Sequence, residues 1–368
     1  MIKLDIVNAV VAKTNISRTK AEQAVETRVG DRVVTTIGPL HHARVDGLEP
    51  DTTYDLTVEG ATPDEWFPAT VRTLVRPPGR LLATLATAND VHFGETECGK
   101  TGDPATDAIG PVLRAEPGAT PYPEVMNGAI VAEMQRLGPD AVIVKGDLTD
   151  SGRPEEYEAF LRTYGALGPI LHHVRGNHDA IRDRELAQQD APYAIELPGV
   201  TVAVLDTTVP GRVGGALADD QRSWLDDLAG SATGSVFVFG HHPVWNVDEP
   251  ARTDPDYAIA LDDSNALVDL VGRRENIAGY FAGHTHANRV LRFDRARRVA
   301  FAEVACAKDY PGAWAEYRIY EGGYTQVMRR VAAPAAFAWS ERARTMIQGI
   351  YRDLVLGPID ARCFTGLV

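Results

Sequence analysis

The chain has 368 residues, 44% of them hydrophobic, and a formal net charge of −14; at ~150 residues per domain this is room for a sizeable core and about two domains. The acidity argues against nucleic acid as a partner, because phosphate backbones are held by clustered Lys and Arg. No apolar run approaches the ~18 residues of a membrane helix, and Met1 is not followed by a basic region, an apolar core and a small-residue cleavage site, so the expectation is a cytoplasmic protein that enters no membrane. Cys98, Cys306 and Cys363 share no close spacing and are expected as free thiols.

At the N-terminus, Leu4, Ile6, Val7, Val10 and Val11 recur at helical spacing, and a second helical stretch carries Ala21, Ala24 and Val25. Two short helices over residues 1–30 are the expectation. Lys3-Leu-Asp-Ile-Val-Asn-Ala-Val through Lys20-Ala-Glu-Gln-Ala-Val resembles the opening helical hairpin of the HU/IHF family of bacterial DNA-bending proteins, over residues 1–27 alone. The β-saddle with basic arms that grips DNA in that family has no counterpart here. DNA binding or a scaffold role through these helices is the alternative of another class.

From Asp31 the period changes to two, with candidate strands at 32–36 and 42–45. Gly47-Leu-Glu-Pro-Asp-Thr-Thr-Tyr-Asp-Leu-Thr-Val58 resembles the late strands of a fibronectin type III sandwich, in which a Tyr closes a strand corner. Val71 to Leu74 would be its last strand, making 31–76 a partial β domain. His41 and His42 are expected on its surface. Arg76-Pro-Pro-Gly79 reads as a linker.

Beyond the linker, apolar strands run directly into polar residues five times. Leu81–Ala88 leads to Asp90 and His92, the run 140–145 to Gly146-Asp147, and 169–174 to Arg175-Gly-Asn-His-Asp179. The run 235–239 leads to Gly240-His-His242, and 277–281 to Gly283-His-Thr-His286. Sites in open α/β sheets form beyond the carboxyl ends of strands, so these loops should converge. Helical stretches at 123–137, 154–164, 218–228 and 264–273 separate the strands, and hairpin strands follow at 289–293, 299–305, 313–320 and 325–330. A terminal helix is expected over 340–354. The stretch 94–123, rich in Gly and Pro, reads as a long functional loop.

Asp, His and Asn side chains without thiolates suit Mn, Fe, Zn or Co. The ordered set Asp-x-His, Gly-Asp, Gly-Asn-His-Asp, Gly-His-His and Gly-His-Thr-His, spread over 90–286, resembles the calcineurin-like metallophosphoesterase superfamily. That resemblance implies an α/β (α+β) fold, a four-layer αββα sandwich over 80–331. A small, incomplete β-sandwich with N-terminal helices would precede it, and a helical extension would follow over 332–368. It implies two divalent metal ions. Asp90, His92 and His286 would hold the first and Asn177, His241 and His284 the second, with Asp147 bridging them and a hydroxide between the ions as nucleophile. His178 would lie beside the metals as the acid towards the leaving group. Asp150, or else Asp179, would orient it.

The purple acid phosphatases of that superfamily place a Tyr three residues after the bridging Asp; here the position holds Asp150. The run Gly146-Asp-Leu-Thr-Asp-Ser-Gly-Arg-Pro-Glu-Glu-Tyr157 looks more like the class III phosphodiesterase branch, which acts on cyclic nucleotides and glycerophosphodiesters. The expected activity is therefore hydrolysis of a small phosphodiester, with a phosphomonoesterase or nucleotidase as the alternative. Arg175 is a candidate contact for the substrate phosphate, and His242 a candidate on the substrate side. His172 and His173 match no motif.

Overall fold

A computed structural model describes residues 2–8, 24–37, 40–62, 67–100, 110–252 and 254–368. The chain divides into two compact units, Met1–Arg76 and Pro77–Val368.

The first unit is built from strands. Antiparallel β1 (Ile2–Asn8) and β4 (His41–Leu48) form one pair, and β2 (Ala24–Val29), β3 (Arg32–Ile37), β5 (Thr53–Glu59) and β6 (Thr70–Arg72) form a sheet of order β3-β2-β5-β6. Val29, Val45, Leu48, Leu56 and Val71 are its buried core. The helix expected from residue 4 onward is replaced by β1. The apolar residues Ile2, Leu4 and Ile6 alternate with Lys3 and Asp5, and a period of two with β-branched residues favours a strand over so short a run. Residues 9–23, which carry most of the second expected helix, lie outside the described residues, and Ala24 and Val25 belong to β2. The Tyr54 hydroxyl accepts the Glu49 N–H at 2.8 Å, closing the corner after Leu48. His41 is buried, contrary to expectation, and its Nδ1 pairs with the Thr36 hydroxyl at 2.8 Å.

The second unit holds two six-stranded sheets. The first has the order β18-β17-β16-β7-β8-β9, with β7 (Leu81–Ala88), β8 (Ala141–Lys145), β9 (Leu171–Val174), β16 (Ala313–Tyr320), β17 (Gly323–Arg330) and β18 (Cys363–Leu367). The second has the order β10-β11-β12-β13-β15-β14, with β10 (Tyr193–Leu197), β11 (Val200–Val204), β12 (Ser235–Phe239), β13 (Ile277–Ala282), β14 (Arg289–Leu291) and β15 (Ala300–Glu303). Inward-facing Leu85 and Ile143 meet Phe237, Phe239 and Phe281 between the sheets. On the outer face of the first sheet, Val142 and Val144 pack on α1 (Tyr122–Leu137), α2 (Pro154–Tyr164) and α5 (Pro334–Ala343). On the outer face of the second, Val236 and Val238 pack on α3 (Asp219–Ser231) and α4 (Leu261–Arg273). The unit is thus a four-layer αββα sandwich.

Its strands read as continuous apolar runs because both faces of each sheet are covered: all five residues of β8, and all five of β11, are buried. β7, β8 and β9 are mutually parallel through α1 and α2, and β11, β12 and β13 through α3 and α4. That crossover pattern delivers the carboxyl ends of both sets to one edge of the sandwich.

The C-terminal part differs from a helical extension. The helix expected over 340–354 is divided into α5 and α6 (Tyr351–Val355), and a short α7 (Ile359–Arg362) leads into β18. β18 pairs antiparallel with β17 and completes the first sheet. No helix among the described residues is long and apolar enough to cross a membrane.

Candidate metal centre

Each expected site residue follows a strand end. Asp90 and His92 leave β7, Asp147 leaves β8, Asn177 and His178 leave β9, His241 leaves β12, and His284 and His286 leave β13. Five of them, Asp90, His92, Asp147, His284 and His286, have φ between 42° and 73°. Non-glycine residues pay about 1–3 kcal/mol for such backbone, a cost that the surrounding packing must offset. Two glycines allow the close approach. A Cβ on Gly146 would strike the His241 ring, and one on Gly176 would strike the Asp147 carboxylate.

Asp147 lies at the centre and is buried. Its Oδ1 is 3.3 Å from His241 Nε2, its Oδ2 is 3.6 Å from His92 Nε2, and Oδ1 accepts the His178 main-chain N–H at 3.0 Å. Asp90 accepts the His284 N–H at 3.0 and 3.1 Å and lies 3.7 Å from His286 Nε2. The potential donor atoms of Asp90, His92 and His286 lie within 4.8 Å of one another. So do those of Asp90, Asp147 and His241, and those of His241, His242 and His284. Asn177 Oδ1 is 3.1 Å from His241 Nε2.

The hydrogen bonds fix which ring nitrogens face inward. His241 Nδ1–H donates to the Lys145 carbonyl at 2.8 Å, so neutral His241 turns its Nε2 lone pair towards Asp147 and Asn177. His284 Nε2–H donates to the Asp256 carbonyl at 2.8 Å, and its buried Nδ1 has no partner among the described residues. Both ring nitrogens of buried His92 are likewise without a hydrogen-bond partner among them. With His241 neutral, lone pairs from Asp147, Asn177 and His241 therefore converge, the second ring nitrogen of His241 and of His284 being anchored to a carbonyl. This donor set fits divalent cations.

Electrostatics agrees. Burial alone would raise the Asp147 pKa, but His241 and His178 hold it well below the usual carboxylate range. Burial pulls His241 down, yet Asp147 outweighs it and pushes its pKa up to about 9. A proton thus occupies, in the protein alone, the place where these acceptors meet. Burial, with His241 beside it, pushes His284 down to about 4, and burial holds His92 well below the imidazole range, so both are neutral.

The sequence pattern of the calcineurin-like phosphoesterases matches residues 83–288, more than half of the chain. The chain belongs to the calcineurin-like phosphoesterase family. Among curated relatives, a glycerophosphodiester phosphodiesterase of Enterobacter lignolyticus is 32% identical over 174 residues, 44% of this chain and 61% of that protein. A 3′,5′-cyclic adenosine monophosphate phosphodiesterase of Pseudomonas aeruginosa is 30% identical over 193 residues, 50% of this chain and 66% of that protein. Both alignments cover less than two thirds of the relative. A dimetal phosphatase from Danio rerio shares the fold at a TM-score of 0.54 and 15% identity, covering 69% of this chain and 98% of that one.

In this family member His178 stands beside the acceptor cluster, its ring 4.6 Å from that of His92 and edge-on to it. Its Nδ1–H donates to the main-chain carbonyl of Asp150 at 2.5 Å, so the carbonyl rather than the Asp150 carboxylate holds the ring. The Asp179 carboxylate is engaged by the neighbouring loops instead. Buried, it accepts the N–H groups of Leu148, Thr149 and Gly176 at 3.1, 2.8 and 2.7 Å and the Thr149 hydroxyl at 2.7 Å, clamping the loop after β8 to the turn after β9. Burial and the nearby Asp147 push its pKa up to about 6. Asp179→Ala leaves four donors to find other acceptors, and unfolding by denaturant should show a loss of about 2–4 kcal/mol. A loss under ~1 kcal/mol would show that the clamp is dispensable.

Two candidates are engaged elsewhere. Arg175 Nε donates to Asp206 at 2.8 Å, and the guanidinium also holds the Arg184 carbonyl. His242 Nε2–H donates to the Val213 carbonyl, and its Nδ1 accepts from the Thr207 hydroxyl, both at 2.9 Å, so neither ring nitrogen is available to a substrate. His173 lies in β9 and pairs with the Tyr157 hydroxyl at 2.9 Å.

Residues without a motif complete the surroundings. Asn89 donates to Asp90 and to the Val304 carbonyl. Lys145 is fully buried, and its ammonium ties the end of β8 to the Ala282 carbonyl at the end of β13, with its pKa pushed down to about 7 by burial despite Asp90 and Glu303. An apolar run ending in a lysine before Gly-Asp was the available signal for it.

Proposed function

We propose that the chain is a binuclear metal-dependent phosphodiesterase that hydrolyses a small phosphodiester. The observation that carries this reading is the convergence of acceptor groups around Asp147, with a proton-bearing His178 at its side. In this reading Asp90, His92 and His286 hold one divalent ion, Asn177, His241 and His284 the other, and Asp147 is shared. Bound cations of this kind polarise phosphoryl oxygens and lower the pKa of water towards neutrality. The remaining work falls to the chain. The Asp150 carbonyl fixes the His178 Nδ1–H, leaving Nε2–H for a phosphate oxygen or for the departing alkoxide. The buried first sheet and the Asp179 clamp keep these groups at fixed separation, so little reorganisation is required as charge moves.

A phosphodiester is favoured over a monoester because the relatives cited above are named as phosphodiesterases of glycerophosphodiesters and of cyclic adenosine monophosphate. The buried free thiols of Cys98 and Cys306 suit the reducing cytoplasm that this reading assigns to the protein. Purified protein supplied with manganese should hydrolyse bis(p-nitrophenyl) phosphate with a higher kcat/KM than p-nitrophenyl phosphate. The opposite order would move the assignment to a phosphomonoesterase. Equal hydrolysis by chelated and metal-loaded protein would end the metal reading.

A further inference from the structure

An ion pair beside the site is carried by no motif. Lys308, in the segment after β15, is 4% exposed, and its Nζ donates to both carboxylate oxygens of Glu95 at 2.5 Å. Asp309 Oδ2 lies 3.6 Å from the same ammonium. Glu95 is anchored through its main-chain N–H to the His92 carbonyl at 3.1 Å. The Asp309 carboxylate accepts the Cys306 thiol at 2.8 Å and the Tyr351 hydroxyl at 2.9 Å, and the potential donor atoms of Asp309, Cys306 and His286 lie within 4.8 Å of one another. The pair is thus tethered to His92 on one side and, through Asp309, lies near His286 on the other. Lys308 acts electrostatically on His92, His178 and Asp150, the groups that line this flank.

Burying two charges is costly by desolvation, and apolar residues of the same volume often serve stability as well or better. The arrangement of charge is therefore what calls for an account. A phosphodiester carries one negative charge near neutral pH, whereas a phosphomonoester carries between about 1.5 and 2. One ammonium faces two carboxylates here, Glu95 and Asp309, so the cluster carries an excess of negative charge that disfavours the doubly charged ester more.

We propose that Glu95 is a specificity-determining residue, whose charge, added to that of Asp309, outweighs Lys308 in the wall beside His178 and so favours singly charged phosphodiesters over doubly charged monoesters. This deepens the phosphoesterase reading and rests on it. The charge change, not the packing, sets the outcome in a cycle of variants. Glu95→Gln leaves Lys308 balanced by Asp309 alone, one negative charge fewer than the parent; Lys308→Met leaves both carboxylates without their cation, and the double variant restores the parent's net charge at nearly constant volume.

The measured quantity is the ratio of kcat/KM for p-nitrophenyl phosphate to that for bis(p-nitrophenyl) phosphate. Glu95→Gln should raise the ratio about tenfold, the scale of one added unit charge in a partly desolvated wall. Lys308→Met should lower it, and the double variant should return it to within about threefold of the parent, a coupling that only charge compensation produces. A packing role would depress both substrates together at an unchanged ratio in all three variants, and that result overturns the proposal. Calorimetric binding of phenylphosphonate and of its monomethyl ester at mildly alkaline pH gives the same ratio without turnover. It should shift in the same order, and an unchanged binding ratio is equally contrary. Thermal unfolding confirms that each variant is folded. The parent's own preference tests the diesterase reading separately, while the shifts between variants test the wall whichever ester the parent prefers.

Discussion

Asp147→Asn is expected to lower kcat by about 10³-fold or more and to leave the purified protein short of metal at neutral pH. Loss of a group that merely supports a ligand costs 10–100-fold in metal affinity or activity by the usual scale, and a carboxylate shared by two cations stands above that. The side chain reaches His241 at 3.3 Å and His92 at 3.6 Å, and its Oδ1 accepts the His178 N–H. Asparagine keeps the volume but removes the negative charge that the two proposed ligand sets would share. It also offers an NH₂ group where only lone pairs should meet. The pH dependence carries a sign. Burial lowers the His241 pKa and Asp147 more than reverses this, to about 9 in the cation-free protein. The stabilisation from protonated His241 is then fully present below its unfolded pKa of about 6.5 and is lost as pH rises through about 9. Metal competes with that proton, so metal affinity of the parent should climb with pH up to about 9. Without Asp147 the His241 pKa falls and the climb ends at lower pH. Elemental analysis after dialysis, with kcat over a pH series, measures both effects. A variant with parental metal content and turnover removes Asp147 from the centre of the proposal.

The part of the fold that could be read in the sequence is the part with a strict local signal. β8 and β12 are continuous apolar runs because both of their faces are covered, and each ends at a glycine followed by Asp147 or His241. That adjacency places Asp90, His92, Asp147, Asn177, His241, His284 and His286 at one edge of the sandwich before any contact is known. Where the signal was short or non-local, it failed. Ile2–Asn8 satisfies two periods at once over seven residues, and its pairing with β4 decides between them. β18 is five residues of ordinary composition whose place follows from the hydrogen-bonding edge offered by β17. The partners of His178 show a third limit. Two nearby carboxylates, Asp150 and Asp179, compete in the sequence, but a main-chain carbonyl makes the contact, and no residue type announces that. Glu95 and Lys308 are 213 positions apart, and only the meeting of β7 and β15 loops at the site brings them together.

His178→Ala should separate proton delivery from metal binding. The ring is held by the Asp150 carbonyl at 2.5 Å and stacks edge-on against His92, while only its main-chain N–H touches Asp147. Truncation to alanine therefore keeps that N–H and leaves the convergent acceptors in place, so metal content should not change. Turnover of alkyl diesters, whose alkoxide leaves poorly, should fall about 10²–10⁴-fold, the usual worth of a positioned general acid. Bis(p-nitrophenyl) phosphate should lose far less, because its phenolate departs without a proton. Burial lowers the His178 pKa, but Asp147 and the Asp150 carbonyl raise it by more, so the ring stays above the ordinary imidazole value. Cations bound at Asp147 would weaken the first of these two influences and not the second, since the carbonyl lies outside the acceptor cluster. For an acid that must be protonated, the alkyl-diester rate of the parent should decline as pH rises through the His178 pKa. In His178→Ala that alkaline limb should be absent. Equal losses on both diesters, or loss of metal, would mean that His178 serves the metals or the packing and not the leaving group.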